Sequence, residues 1–106
     1  MKKGDIVLVK YPFTDFSSEK LRPALVLLPE DEENDLLLAF ITSNIARKSS
    51  FDINILKGET GLHKDSTLRL KKIMAVHKSL LMGKIGNVSK QQLTVIENML
   101  RKMFEL

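Results

Sequence analysis

Apolar positions in this chain fall mainly into short runs bounded by turn residues, a pattern of strands rather than of long helices. The first run, Asp5-Ile6-Val7-Leu8-Val9-Lys10, is rich in β-branched residues and reads as a buried strand. From Tyr11 to Lys20 the pattern breaks. Pro12 has no N–H for a central ladder, and Asp15, Ser17 and Ser18 are loop residues. A connection of about ten residues exceeds what a hairpin needs, and loops of that kind often carry function. Residues 23–28 (Pro-Ala-Leu-Val-Leu-Leu) form a second predicted strand, stopped by Pro29 and the acidic run Glu30-Asp31-Glu32-Glu33. Residues 35–43 form a third, wholly apolar from Leu36 to Ile41.

Later segments alternate instead. Phe51-Asp52-Ile53-Asn54-Ile55 has the period of a half-exposed strand. Residues 57–65, with Gly58 and Gly61, read as a loop. Residues 66–73 put Leu68 and Leu70 on one face and Arg69 and Lys71 on the other, and 74–81 continue as strand and turn. Only the end of the chain reads as helix. Ser89 is a good N-cap, and Gln92 stands three residues on, the spacing of a capping box. Leu93, Ile96, Leu100, Met103 and Phe104 then recur at helical intervals, with Lys90, Glu97, Arg101 and Lys102 on the other face. The prediction is a mainly β chain with a C-terminal helix, arranged as a small β-barrel.

Composition narrows the class. The 106 residues suffice for one domain, with no internal repeat and no boundary. Hydrophobic and charged fractions of 43% and 28% exclude disordered and low-complexity classes. Without cysteine there is no disulfide framework, thiolate nucleophile or Cys-based zinc site. No apolar stretch approaches the roughly 20 residues of a membrane span. Met1-Lys2-Lys3 starts like a signal peptide, but the apolar run that follows is too short for one, so the expectation is a cytoplasmic protein. Charge is uneven. Residues 1–53 carry seven Lys/Arg and nine Asp/Glu, and residues 54–106 carry ten and four, so −2 and +6 make the total of +4. A basic half of that size suits either a polyanionic partner or a solvated lysine-rich surface.

The usual catalytic kits are missing. The sequence has no Gly-rich phosphate loop, no nucleophile elbow, and no metal-ligand spacing around its two histidines. His63, in a Gly-flanked loop, reads as solvated, and His77 as a surface or packed side chain. What remains is polar chemistry at strand ends. Arg22 is fixed in extended backbone by Pro23 and offers a guanidinium fork for phosphate, or else bounds a strand and pairs with Glu19. Thr42-Ser43-Asn44 closes an apolar strand with three hydrogen-bonding side chains, although such residues are also ordinary there. Arg69 and Lys71 form either a phosphate track or a charged guard on a strand edge.

In order and spacing, Gly4-Asp5-Ile6-Val7-Leu8-Val9, Tyr11-Pro12-Phe13-Thr14-Asp15, Arg22-Pro23-Ala24-Leu25-Val26-Leu27 and Ile41-Thr42-Ser43-Asn44 resemble the PemK/MazF toxin family. The likeness continues through Gly61-Leu62, Asp65-Ser66, Arg69 and Lys84-Ile85-Gly86-Asn87-Val88-Ser89, and so covers essentially the whole chain. The resemblance implies an SH3-like barrel of the CcdB/MazF type and a homodimer. It implies a toxin of a bacterial toxin–antitoxin pair that cuts single-stranded RNA at short sequences without a metal or other cofactor. The ends left are a 2′,3′-cyclic phosphate and a 5′-hydroxyl. The implied partner is an acidic antitoxin whose disordered tail blocks the RNA groove.

The family's catalytic arginine and threonine map onto Arg22 and Thr42. Expected RNA contacts are Thr14, Asp15, Ser17, Lys20, Ser43, Asn44, Arg69 and Lys71, and Phe13 and Phe16 either stack unpaired bases or belong to the core. Arg22 serves as stabiliser and candidate acid, since a guanidinium does not deprotonate in proteins. The general base stays unassigned, with Glu19 and Asp15 as candidates. One departure stands out: many members carry an acidic residue two positions after the strand arginine, where this chain has Lys71 and then Lys72. That keeps open a homologue that binds RNA or antitoxin without cutting. A gyrase inhibitor of the related CcdB kind is a further alternative, but the tail Met103-Phe104-Glu105-Leu106 lacks the Trp-Gly-Ile ending expected there.

Overall fold

Among the described residues, six strands and one α-helix follow the order β1 (Asp5–Tyr11), β2 (Lys20–Leu28), β3 (Asp35–Thr42), β4 (Asp52–Ile55), β5 (Ser66–His77), β6 (Leu81–Asn87) and α1 (Lys90–Phe104) in a computed structural model. The structure describes residues 1–11, 20–44, 49–58 and 60–106. Thr14, Asp15, Ser17, Phe13, Phe16 and Glu19, named above for RNA contact, stacking or proton transfer, lie outside the described residues.

All strands pair antiparallel in one sheet of order β4-β5-β3-β2-β1-β6. The expected barrel is therefore only approximate: β4 and β6 are the two edges, and the sheet does not close. Its curvature still buries both faces of the middle strands, which is why their sequences are continuous apolar runs rather than alternating ones. Ile6, Leu25, Leu27, Ala39, Ile41, Leu68, Leu70 and Ile55 point into one core and meet Ile96, Leu93 and Leu100 of α1. Val7, Val9, Ala24, Val26, Leu36, Leu38 and Val76 point into a second core, against which Phe40, Leu80 and Leu81 pack.

β2 starts earlier than the pattern suggests, β5 runs on into a turn as expected, and one strand falls where the pattern predicts none. β2 begins at Lys20, and β5 continues to His77, where a three-residue turn (Lys78–Leu80) leads into β6. The strand Leu81–Asn87 contains two glycines, which weaken any strand signal; pairing with β1 holds it in place. The acidic run is a built turn as well as a charge cluster. The Asp31 carboxylate accepts the Glu33 and Asp35 N–H groups, with Asn34 in the left-handed region.

The helix forms as predicted. Ser89 Oγ accepts the Gln92 N–H at 3.1 Å, and Gln92 Oε1 accepts the Ser89 N–H at 3.0 Å, which completes the capping box. Lys3 pairs with Glu97 and ties the chain start to the helix. Among the described residues no helix is long and apolar enough to cross a membrane.

Candidate active site

Ala24 opposite Phe40 is the last pair of the β2–β3 ladder at one end of the sheet. Two residues farther along each strand stand Arg22 and Thr42. The Pro23 ring, opposite Leu8 of β1, precludes a ladder donor there, and β3 pairing resumes only at Ala24. The two strand ends thus deliver a guanidinium and a hydroxyl to the same mouth. Arg22 is exposed and makes no hydrogen bond or ion pair among the described residues, so its donors are available. Thr42 is half-buried, and its Oγ accepts the Asn44 N–H at 3.1 Å, which orients the hydroxyl and leaves its hydrogen to donate.

Two cavities meet at this pair. One, of about 360 Å³, has an apolar floor that includes Leu8, Ile41, Leu62 and Ile85, and a polar rim of Arg22, Thr42, Ser43, His63 and Lys64. The other, of about 340 Å³, is walled by Arg22, Arg69, Lys71 and Lys72, with Phe40 and Met74 beside them. Among the described residues neither lining includes a carboxylate. Four cations facing one cavity make it strongly electropositive.

A large bulge builds that basic wall. Ile41 pairs with Leu68 and Ala39 with Ile73, so residues 69–72 of β5 stand where β3 has only Phe40. The bulge breaks the two-residue alternation of a regular strand, and Lys72 joins Arg69 and Lys71 at one cavity instead of facing away. Arg69 is also held from the side. It lies directly opposite Asp52 of β4, with Nε 3.9 Å from Asp52 Oδ1.

Of the expected contacts, Arg22, Thr42, Ser43, Arg69 and Lys71 come together here. Lys20, at the start of β2 opposite Tyr11, and Asn44, just beyond β3, line neither cavity. His63, Lys64 and Lys72 were missed. For Lys72 no sequence signal existed, because alternation assigns it the opposite face. His63 gave a faint one: a histidine within Gly-Leu-His-Lys-Asp-Ser, beside residues that carry the family resemblance. Among the described residues no three His, Cys, Asp or Glu side chains cluster as a metal site would require.

Comparison with known proteins places this geometry. The family model for PemK-like, MazF-like toxins of type II toxin–antitoxin systems matches residues 2–104. No curated protein sequence matches the chain. Among solved structures, the Mycobacterium tuberculosis toxin MazF-mt6 superposes with a TM-score of 0.78 at 19% identity, over 96% of this chain and 97% of that one. A mycobacterial endoribonuclease, solved with its cognate antitoxin, gives 0.78 at 14% identity over 100% and 96%. MazF from Deinococcus radiodurans gives 0.77 at 15% identity over 100% and 97%. At such identities the structures attest the fold, and the family model attests the lineage: this chain belongs to the PemK-like, MazF-like toxins of type II toxin–antitoxin systems.

Proposed function

We propose that this protein is a sequence-specific endoribonuclease toxin that cuts single-stranded RNA without a metal ion, leaving 2′,3′-cyclic phosphate and 5′-hydroxyl ends. The observation that carries the reading is the position of Arg22 and Thr42 on the shared wall of two cavities, one of them lined by four cations. In such a cut the ribose 2′-oxygen attacks its own phosphate, so the enzyme supplies no nucleophile. Its work is to hold the phosphate in line and neutralise the charge that develops. Arg22 offers a bidentate fork to the non-bridging oxygens, and Thr42 a hydrogen bond. Arg69, Lys71 and Lys72 take the flanking phosphates. Phe40 and Met74 supply apolar surface beside them for a base that has left its stack.

A basic cavity that admits RNA also admits an acidic peptide, so a cognate antitoxin is its natural blocker; the mycobacterial neighbour in complex with its antitoxin supports a partner of that type. The working unit in this reading is a cytoplasmic homodimer.

The test is purified protein with a long single-stranded RNA in EDTA, beside Arg22→Ala, with product 5′ ends mapped. Discrete cuts by the wild type alone establish the nuclease and give its target sequence. Intact RNA with folded protein transfers the reading to a homologue that binds without cutting. Lys71, in place of the acidic residue common in the family, is the observation that favours this second reading.

A further inference from the structure

Among the described residues, the lining of the first cavity is rich in hydrogen-bond donors and poor in bases. Arg22 and Lys64 present donors only, and the hydroxyls of Thr42, Ser43 and Ser66 are too weakly basic to take a proton from a ribose. The exception is His63. A neutral imidazole carries one free nitrogen lone pair, and imidazole as a class changes protonation in the physiological range. His63 is exposed, and its ring makes no hydrogen bond or ion pair among the described residues.

The loop that presents it is braced at both ends and in the middle. The Lys57 N–H donates to Asp65 Oδ1 at 2.9 Å, and Ser66 Oγ donates to the Lys64 carbonyl at 2.9 Å. Buried Thr60 donates through Oγ1 to the Leu56 carbonyl at 3.0 Å, and the Gly61 N–H donates to the Gly58 carbonyl at 2.9 Å. Gly61 and Gly86 meet back to back. A Cβ on Gly61 would overlap the Ile85 carbonyl, and one on Gly86 the Thr60 carbonyl, so the loop sits directly on β6. The mounting is fixed, and the ring two residues later is free.

We propose that His63 is the general base of the RNA cleavage described above, an inference that rests on that reading. A neutral ring nitrogen takes the 2′-OH proton as the 2′-oxygen bonds to phosphorus. The phosphorus–5′-oxygen bond then breaks with its electron pair on the 5′-oxygen, which takes a proton from solvent, and the imidazolium returns its proton to water. In-line geometry sets the entering and leaving oxygens on opposite sides of phosphorus, so one imidazole serves one of them. Among the described residues, the charged groups around His63 are Arg22 from β2 and Lys64 and Asp65 from its own loop. Asp65 is engaged by the Lys57 N–H, and Lys84 of β6 is engaged by Asp5.

The experiment is kcat and KM against pH for a single-site RNA oligonucleotide, with wild type, His63→Gln and His63→Asn, each first checked by thermal melt. The wild type should lose kcat/KM on the acidic side of neutrality. Both variants should melt as the wild type does, keep KM, lose about 10²–10⁴-fold in kcat, and no longer show the acidic fall. A wild type that cuts while both variants keep their kcat or their acidic limb overturns the role of His63 and leaves the nuclease standing. Loss of the alkaline limb in place of the acidic one also overturns it, since that marks an acid. A wild type that cuts nothing overturns both readings together.

Discussion

Asp52 Oδ1 and Arg69 Nε face each other across the β4–β5 pair at 3.9 Å, and neither atom has a hydrogen-bond partner. At that separation the two attract as charges without a hydrogen bond. The Asp52 side chain is only 2% exposed against 30% for Arg69, so the carboxylate is the anchored member. Its other oxygen accepts the Ser49 N–H at 2.9 Å. The rest of the guanidinium is left for the basic cavity.

Asp52→Asn removes that anchor while keeping the shape. The expected cost is about 1–3 kcal/mol, below that of a fully buried pair because Arg69 keeps contact with water. Under the proposed function, which assigns Arg69 to phosphate positioning and not to bond breaking, KM for RNA should rise more than kcat falls. Urea midpoints and steady-state kinetics on Asp52→Asn, Arg69→Ala and the double variant measure the coupling. Additive effects would show that the two residues act independently.

Salt should report on the basic wall. Removing a cation that neutralises one phosphate flattens the slope of log affinity against log salt by roughly one unit or slightly less. Lys71→Ala and Lys72→Ala should each lower the slope by that amount. Lys90→Ala, on the helix and away from both cavities, should leave it unchanged. Equal slopes for all three variants would remove the bulge from the RNA path.

Gly86→Ala tests the seat of the loop. Gly86 has ordinary backbone angles, so the added methyl acts only through its overlap with the Thr60 carbonyl and the Gly61 nitrogen. The expected loss is about 1–3 kcal/mol of stability, from overpacking against backbone that cannot yield. RNA cleavage should weaken as well, although Gly86 itself lines neither cavity. A melt together with a single-turnover rate separates the two effects.

Acid should release a tie at the start of β1. Burial favours the neutral form of Asp5, but the Lys2 N–H at 2.8 Å and the Lys84 ammonium at 3.1 Å outweigh it and hold the carboxyl below its usual range. A depressed carboxyl contributes stability above its unfolded pKa of about 3.9, and that contribution is lost as pH falls through the folded value. Asp5→Asn should therefore cost about 1–3 kcal/mol at neutral pH and flatten the loss of stability below about pH 4. Denaturant midpoints at neutral and acidic pH decide it.

Much of this protein is legible in one dimension because its signals are local. The capping box of Ser89 and Gln92 needs only a spacing of three, and the apolar runs of β1 to β3 announce strands buried on both faces. Arg22 before Pro23, and Thr42 at the end of an apolar strand, are likewise placements a linear reading supplies. The open edges of the sheet, by contrast, depend on how far it curls, and no residue pattern records that.

The content of the site came from the folded arrangement. Strand pairing set Arg22 and Thr42 at one mouth, because β2 and β3 are neighbours that end together. A bulge opposite Phe40 turned Lys72 onto the face of Arg69, against the alternation its sequence implies. The close approach of Gly61 and Gly86, 25 positions apart, seated the loop that carries His63. Each is a relation between segments distant along the chain. Periodicity and hydrogen bonds a few residues long are enough to specify the strands, the helix and its cap from the linear chain. Which side chains share a cavity is not specified there, because that depends on register and backbone packing across the fold.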